Sequence, residues 1–167
     1  QAFHKAHLDK EWKVIIAGPE EVPAYVDLLK QMILNLGLSD QVQMIGPVFS
    51  AEKETLIHNA WIMVVPSYSE VIGMVNLEAA VNFVPSITTF ETGLIDWATG
   101  GGELIHPNVD ELTAKISESA AWSKEERNER GKRSRQLVLE KYSWDAVLPL
   151  WKNTYQSAVI DNTYQAN

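Results

Sequence analysis

Two carboxylates in "PSYSEVIGMVNLEAAVNFVPS" (Pro66–Ser86), Glu70 and Glu78, stand on either side of Gly73 and an apolar run. If residues 70–78 were one helix, they would be about 12 Å apart along the axis and turned by roughly 80°, on different faces. If the helix instead starts near Gly73, Glu70 lies in a loop. The free N–H groups of Gly73, Met74 and Val75 then make an anion site reinforced by the helix dipole. Glu78, in the second turn, reaches that site from the side. Hydroxyl acceptors at both ends and an anion cradle between them suit a nucleotide sugar. On spacing alone a plainer reading stays open, because an acidic residue ahead of a helix is stabilising by itself, by about 0.3–1 kcal/mol.

The surrounding pattern says what must position these groups. "WKVIIAG", "VQMIG", "WIMVVPS", "SITTF" and "ELIH" read as short strands, separated by helical stretches such as "VPAYVDLLKQMILNLG" and "SAEKETLIHNA". In the latter, Ser50 is the expected N-cap, and Lys53 stands where a capping box would have Glu. A helix from about Gly73 to Phe83 follows the third strand, and three helical stretches end the chain. Strand–helix alternation with short loops predicts an α/β fold, a Rossmann-like parallel sheet with flanking helices, in one domain over residues 1–167. Ligands of such sheets bind beyond the carboxyl ends of the strands. The loops there include Gly18-Pro19, Gly46-Pro47-Val48 and Pro66-Ser67, whose small or turn-forming residues let a ligand approach the backbone.

Bulk properties exclude other classes. A hydrophobic share of 46% with 22% charged residues is that of a globular protein. A net charge of −8 argues against a nucleic-acid partner, and the basic run "KEERNERGKRSR" is interleaved with glutamates, as in a salt-bridged helix face. No apolar run reaches the roughly 20 residues of a membrane span. There is no cysteine, and His4, His7, His58 and His106 lie in unrelated segments, so no metal site is expected. "QAFHKAHLDK" has neither an initiator Met nor a hydrophobic stretch, which predicts a chain starting inside a longer protein. Gly100-Gly101-Gly102 lacks the Lys-Ser/Thr of a phosphate loop and reads as a flexible turn. The tryptophans fall mostly at strand starts and helix ends, where packing accounts for them.

The segment around the two glutamates resembles the E-x7-E signature of retaining GT-B glycosyltransferases of family 4, "PS-x-x-E-G-F-G-x-x-x-L-E-A-x-A-x-G-x-P". "WKVIIAGPE", "VQMIGPV", "AWIMVVPS" and "ERGKRSRQLVLEKYSWDAVLPLWKNTY" are similar to the same family in the same order. The resemblance implies the C-terminal, donor-binding half of such an enzyme. Glu70, as the catalytic-site carboxylate, would meet the donor sugar hydroxyls. The Gly73, Met74 and Val75 amides would hold the diphosphate, and Glu78 the ribose. Gly18, Pro19, Gly46, Pro47 and Val48 would line the nucleotide. Ser67 and Thr92 complete the expected donor pocket, with Thr92-Gly93-Leu94 on the sugar side. The donor would be a UDP-, GDP- or ADP-sugar, with no cofactor or metal, and the acceptor a glycan, lipid or small molecule. The implied setting is cytoplasmic polysaccharide or glycolipid synthesis, with peripheral contact to the inner membrane face through the other half. The rival reading is a non-catalytic nucleotide- or sugar-phosphate-binding or interaction domain of the same fold.

Departures from the family pattern carry expectations of their own. The motif's Gly and Phe after the first Glu are Val71 and Ile72. The Gly after the helix is Phe83, ill suited to a left-handed cap, which predicts a different turn before Pro85. The family's Gly-Arg and Lys-Gly that neutralise the diphosphate have no counterpart, so the isolated chain should bind donor weakly. A 3-2-1-4-5-6 sheet without its first strand leaves a central hole. Either the strands at Trp12–Gly18 and Trp61–Ser67 pair directly, or a partner fills the hole, with self-association of the chain as a consequence. The helices at about 143–160 are expected to pack on the N-terminal domain.

Overall fold

Residues 1–164 are described by a computed structural model, with side chains to residue 158. In chain order the elements are α1 (Ala2–Lys5), β1 (Val14–Ala17), α2 (Pro23–Asn35), β2 (Val42–Gly46), α3 (Ser50–Asn59), β3 (Met63–Val65) and α4 (Met74–Val81). They continue with β4 (Ser86–Thr89), two short 3-10 turns (Phe90–Thr92 and Trp97–Gly100), β5 (Glu103–Ile105), α5 (Val109–Ala120), α6 (Lys124–Lys141) and α7 (Trp144–Tyr164). Every strand pairing is parallel, and the α/β alternation follows the sequence pattern.

The sheet is in two pieces, β1-β2 and β3-β4-β5. Direct pairing of the Trp12–Gly18 and Trp61–Ser67 strands therefore does not occur. The two pieces meet instead at the feet of β1 and β3, where the Trp12 and Trp61 rings pack edge to face, 5.9 Å between centroids. Above that contact the facing edges of β1 and β3 carry no ladder bonds to one another. This is the order of a doubly wound sheet with its first strand unfilled.

The core lies on the β3-β4-β5 side. All four residues of β4 are buried, as in a central strand covered on both faces. Ala80, Leu94, Trp97, Leu137 and Val138 form one cluster, and Ile57, Ala79 and Val84 a second. α6 contributes the stripe Gly131, Ser134, Leu137 and Val138, the spacing of one helical face. Its basic residues do more than pair with glutamates. Arg127 donates to the carbonyls of Ala60 (2.8 Å) and Trp61 (3.1 Å), and Arg130 and Lys115 both hold Glu103 at 2.9 Å.

Three sequence expectations are corrected. Ser50 is the first residue of α3 rather than its cap, which is Phe49. Gly100, Gly101 and Gly102 are buried rather than a loose turn, because side chains there would run into Leu137, the Arg130 backbone and the Trp97 indole. Phe83 does take the left-handed conformation, at φ 59°. The Phe83 N–H donates to the Ala80 carbonyl (2.9 Å) and that of Val84 to Ala79 (2.9 Å), the bonds of a helix C-terminal motif. The Arg135 guanidinium lies 4.7 Å from the Phe83 ring centroid and donates to the Val81 carbonyl. Contacts outside the turn offset the cost of its Cβ.

α7 exposes Trp144, Leu148, Leu150, Trp151 and Tyr155, with the Trp151 and Tyr155 rings stacked at 5.8 Å. Of the segment about 143–160, residues 159 and 160 lie outside those whose side chains are described.

Candidate functional site

The carboxyl ends of β3 and β4 carry the Glu70–Glu78 arc. Glu70 lies in the loop between β3 and α4, not in the helix, and its N–H donates to the Glu91 carbonyl (3.1 Å). Its side chain is exposed and has no partner among the described residues. Beneath this loop sits Gly93, at φ 72°, where a Cβ would lie 2.7 Å from the Val71 carbonyl oxygen. Only glycine fits that turn without displacing the loop. Val71 itself is 90% exposed, so the bulk in the motif's second position points to solvent.

Gly73 caps α4, and a Cβ there would overlap the Asn76 side-chain amide. Of the three amides expected at the anion site, that of Met74 is already turned to the Ile72 carbonyl (2.8 Å). Those of Gly73 and Val75 donate to no group among the described residues. The cradle thus has two open donors rather than three.

Asn76 fixes α4 on the sheet and was not singled out by sequence. Its amide donates to Thr88 Oγ1 (3.1 Å) and its carbonyl accepts from Ser86 Oγ (2.7 Å), while Trp97 Nε1 donates to Ser86 Oγ (2.9 Å). Asn76, Ser86, Thr88 and Thr92 are fully buried, and a satisfied network at zero exposure rigidifies its surroundings. The signal in the sequence is an Asn at a core position of a helix whose other residues, Glu78 apart, are apolar. Thr92 belongs to this network. Its hydroxyl donates to the Thr89 carbonyl (2.7 Å), and the residue is fully buried. Ser67 contributes its carbonyl, which accepts from Thr89 Oγ1 (2.6 Å) and ties the loop after β3 to β4.

Glu78, one turn past Gly73 and half-buried, is held by Lys53 from the first turn of α3, Nζ to Oε1 at 2.7 Å. Its other oxygen, Oε2, is buried and without a partner among the described residues. Lys53 is the second residue that sequence reading missed as part of the site, although its place in a capping-box position was the anomaly that marked it.

The loops after β1 and β2 assemble separately. Gly18 N–H donates to the Gly46 carbonyl (2.9 Å), and Gly18, Pro19 and Gly46 border one shallow depression of about 130 Å³ with Tyr25 and Met44. Pro47 and Val48 lie just beyond it on the way to α3 and do not border it.

Parallel strands, flanking helices and loops gathered at the strand ends are the architecture of a Rossmann-like α/β domain. The chain belongs to the family described as glycosyl transferases group 1, whose profile matches residues 1–137. It is 28% identical over 156 residues to an uncharacterized glycosyltransferase of Methanocaldococcus jannaschii, an alignment covering 88% of this chain and 37% of that protein. It is 32% identical over 94 residues to the D-inositol 3-phosphate glycosyltransferase of Kineococcus radiotolerans, covering 53% of this chain and 22% of that protein. The chain thus spans well under half the length of the curated relatives it matches. Among solved structures it shares the fold of Anabaena HepE in complex with UDP and glucose, with a TM-score of 0.78, 20% identity, and coverage of 93% of this chain and 43% of that one. It likewise resembles the C-terminal domain of a group 1 glycosyl transferase from Francisella tularensis, with a TM-score of 0.72, 21% identity, and coverage of 85% and 78%.

Among the described residues no helix is long and apolar enough to cross a membrane.

Proposed function

We propose that the chain is the donor-binding half of a retaining glycosyltransferase of the family 4 type, acting on a UDP-, GDP- or ADP-sugar. The observation that carries this is the sequence of open groups along one arc. Among the described residues Glu70 has no side-chain partner, the Gly73 and Val75 amides donate to no group, and one Glu78 carboxylate oxygen is unsatisfied. In this reading Glu70 accepts from the sugar hydroxyls. The two amides and the α4 dipole take the diphosphate, and Glu78 accepts from the ribose. The base lies toward Gly18-Pro19 and Gly46-Pro47-Val48.

Transfer breaks the bond between the anomeric carbon and the diphosphate oxygen and forms one to the acceptor oxygen on the same face. Charge grows on the diphosphate as it leaves, and fixed dipoles aimed at it lower the barrier most. Two amides are a modest share of that stabilisation, so the reading assigns the cationic share to the Gly-Arg and Lys-Gly that open the family's C-terminal half, and the acceptor site to an N-terminal domain. It calls on no metal.

Calorimetric titration of the complete protein with UDP, GDP, ADP and their sugar conjugates tests this. One nucleotide series should bind, Glu78→Ala should weaken it by tenfold or more, and the product's anomeric configuration by NMR should match the donor's. Binding without transfer would leave a nucleotide-binding domain. No binding to any of the series would overturn the reading.

A further inference from the structure

The Lys53–Glu78 pair stands out because nothing in the fold needs it. Lys53 comes from α3 and Glu78 from α4, with side chains 38% and 35% exposed. Neither belongs to the buried clusters of the core. Both lie at the end of the molecule where the strands deliver their loops, Lys53 five residues beyond Val48. The pair is incomplete as it stands. Lys53 satisfies Oε1 at 2.7 Å, while Oε2 is out of reach of solvent and has no partner among the described residues. A buried carboxylate oxygen without a donor is costly, and any donor that reaches it is bound with more than ordinary strength.

We propose that Lys53 is a positioning residue for Glu78: by occupying Oε1 it sets the carboxylate so that Oε2 is the acceptor for a hydroxyl of a ribose diol. This rests on the assignment of Glu78 to the ribose. The terminal torsion of a Glu side chain is broad, so a small turn of the carboxylate presents Oε2 to the ligand. The Lys53 ammonium, at the end of a flexible four-carbon stem, follows that turn and keeps its bond. Without Lys53, Glu78 is free to swing into solvent, and the diol loses its prearranged acceptor.

The test is a set of calorimetric titrations of the complete protein. The probes are UDP, GDP and ADP, then the 2′,3′-dideoxy form of whichever binds best. Wild type should prefer the ribose form over the dideoxy form, and Glu78→Gln should abolish that preference. Lys53→Met should shrink it by about tenfold while leaving dideoxy binding unchanged, and Lys53→Arg should restore most of it. Added to Glu78→Gln, Lys53→Met should change nothing further. Thermal melting of each variant confirms that the fold is retained.

If Lys53→Met weakens both forms equally, Lys53 acts on the phosphates or on the fold and the inference fails. If Glu78→Gln removes the preference and Lys53→Met leaves it intact, the inference fails alone and the ribose assignment stands. If wild type shows no preference, or no nucleotide binds, the ribose assignment falls and the inference with it.

Discussion

β1 and β4 are both four-residue parallel strands of one chain, and the rest of the molecule treats them in opposite ways. β4 is buried at every residue, and its Ser86, Thr88 and Thr89 hydroxyls are all bonded, to Asn76, Trp97, Val65 and Ser67. β1 exposes three of its four residues, with Ile15 at 49% and Ile16 at 40%. Yet Ile15 and Ile16 are more apolar than anything in β4 except Ile87. Burial here follows what packs on a strand rather than its own hydropathy. The group that holds the Glu70–Glu78 arc is the one sealed by α4, α6 and a polar network. The group that carries the Gly18 and Gly46 loops has one edge and one face open.

The contrast can be broken most sharply at Trp97. Its indole fills the core beside Leu94 and Leu137, so Trp97→Ala should cost about 3–5 kcal/mol in urea unfolding. A cost under about 1 kcal/mol would mean that this half is not the stable one. Asn76→Ala should come next, at about 1–3 kcal/mol, because Ser86 and Thr88 lose partners where no water replaces them. The same variant should loosen the α4 start and speed amide exchange there. Asn76→Ala melting like wild type would remove the network from the account.

A third comparison uses pH. Burial raises the Asp96 pKa, but the bonds from Lys141 and Tyr142 outweigh it and bring the carboxylate below its ordinary 3.8. A depressed folded value means that the stabilisation is complete above 3.8 and is lost as the pH falls through the lowered value. Wild type should therefore exceed Asp96→Asn by a constant margin at neutral pH, and the margin should close in strong acid. The same contact, with burial first among the causes, pushes the Tyr142 hydroxyl up to about 12. Its absorbance change should come well above the ordinary tyrosine value of 10.0.

At the open edge, Ile16→Ala should change stability by less than about 0.5 kcal/mol. Ile15→Lys should leave stability equally untouched while lowering any self-association of the chain seen by sedimentation, since a charge on an unpaired edge disfavours strand addition. Exchange of β1 amides well ahead of those of β4 would sharpen the distinction, and equal protection would erase it.

The strands, their parallel sense and the position of Glu70 in a loop were legible because β-branched runs and turn residues mark them locally. The separate pieces of the sheet were legible only as alternatives, because pairing depends on residues far apart in the chain. Glu70 falls in the loop before α4 and Gly73 at its cap, as the spacing suggests, while several neighbouring side chains take places the sequence does not mark. Thr92 looked like a pocket residue by position, but a hydroxyl beside a buried strand found partners inside. Lys53 looked like a missing cap, and only the approach of α3 to α4 showed its carboxylate. Phe83 broke a local rule about left-handed residues that Arg135, 52 positions later, makes tolerable.

Arg127 has one more implication. It bonds the carbonyls at the junction between α3 and β3, and the Trp61 indole reaches forward to the Ser119 carbonyl (2.8 Å). As the polypeptide leaves the ribosome, the start of β3 thus waits 58 to 67 residues for its closing contacts. A nascent chain stalled before Arg127 would carry both glutamates of the site beyond a strand whose leading Ala60 and Trp61 carbonyls still lack these donors. Competence for donor should arise late in synthesis, and abruptly, when α6 emerges.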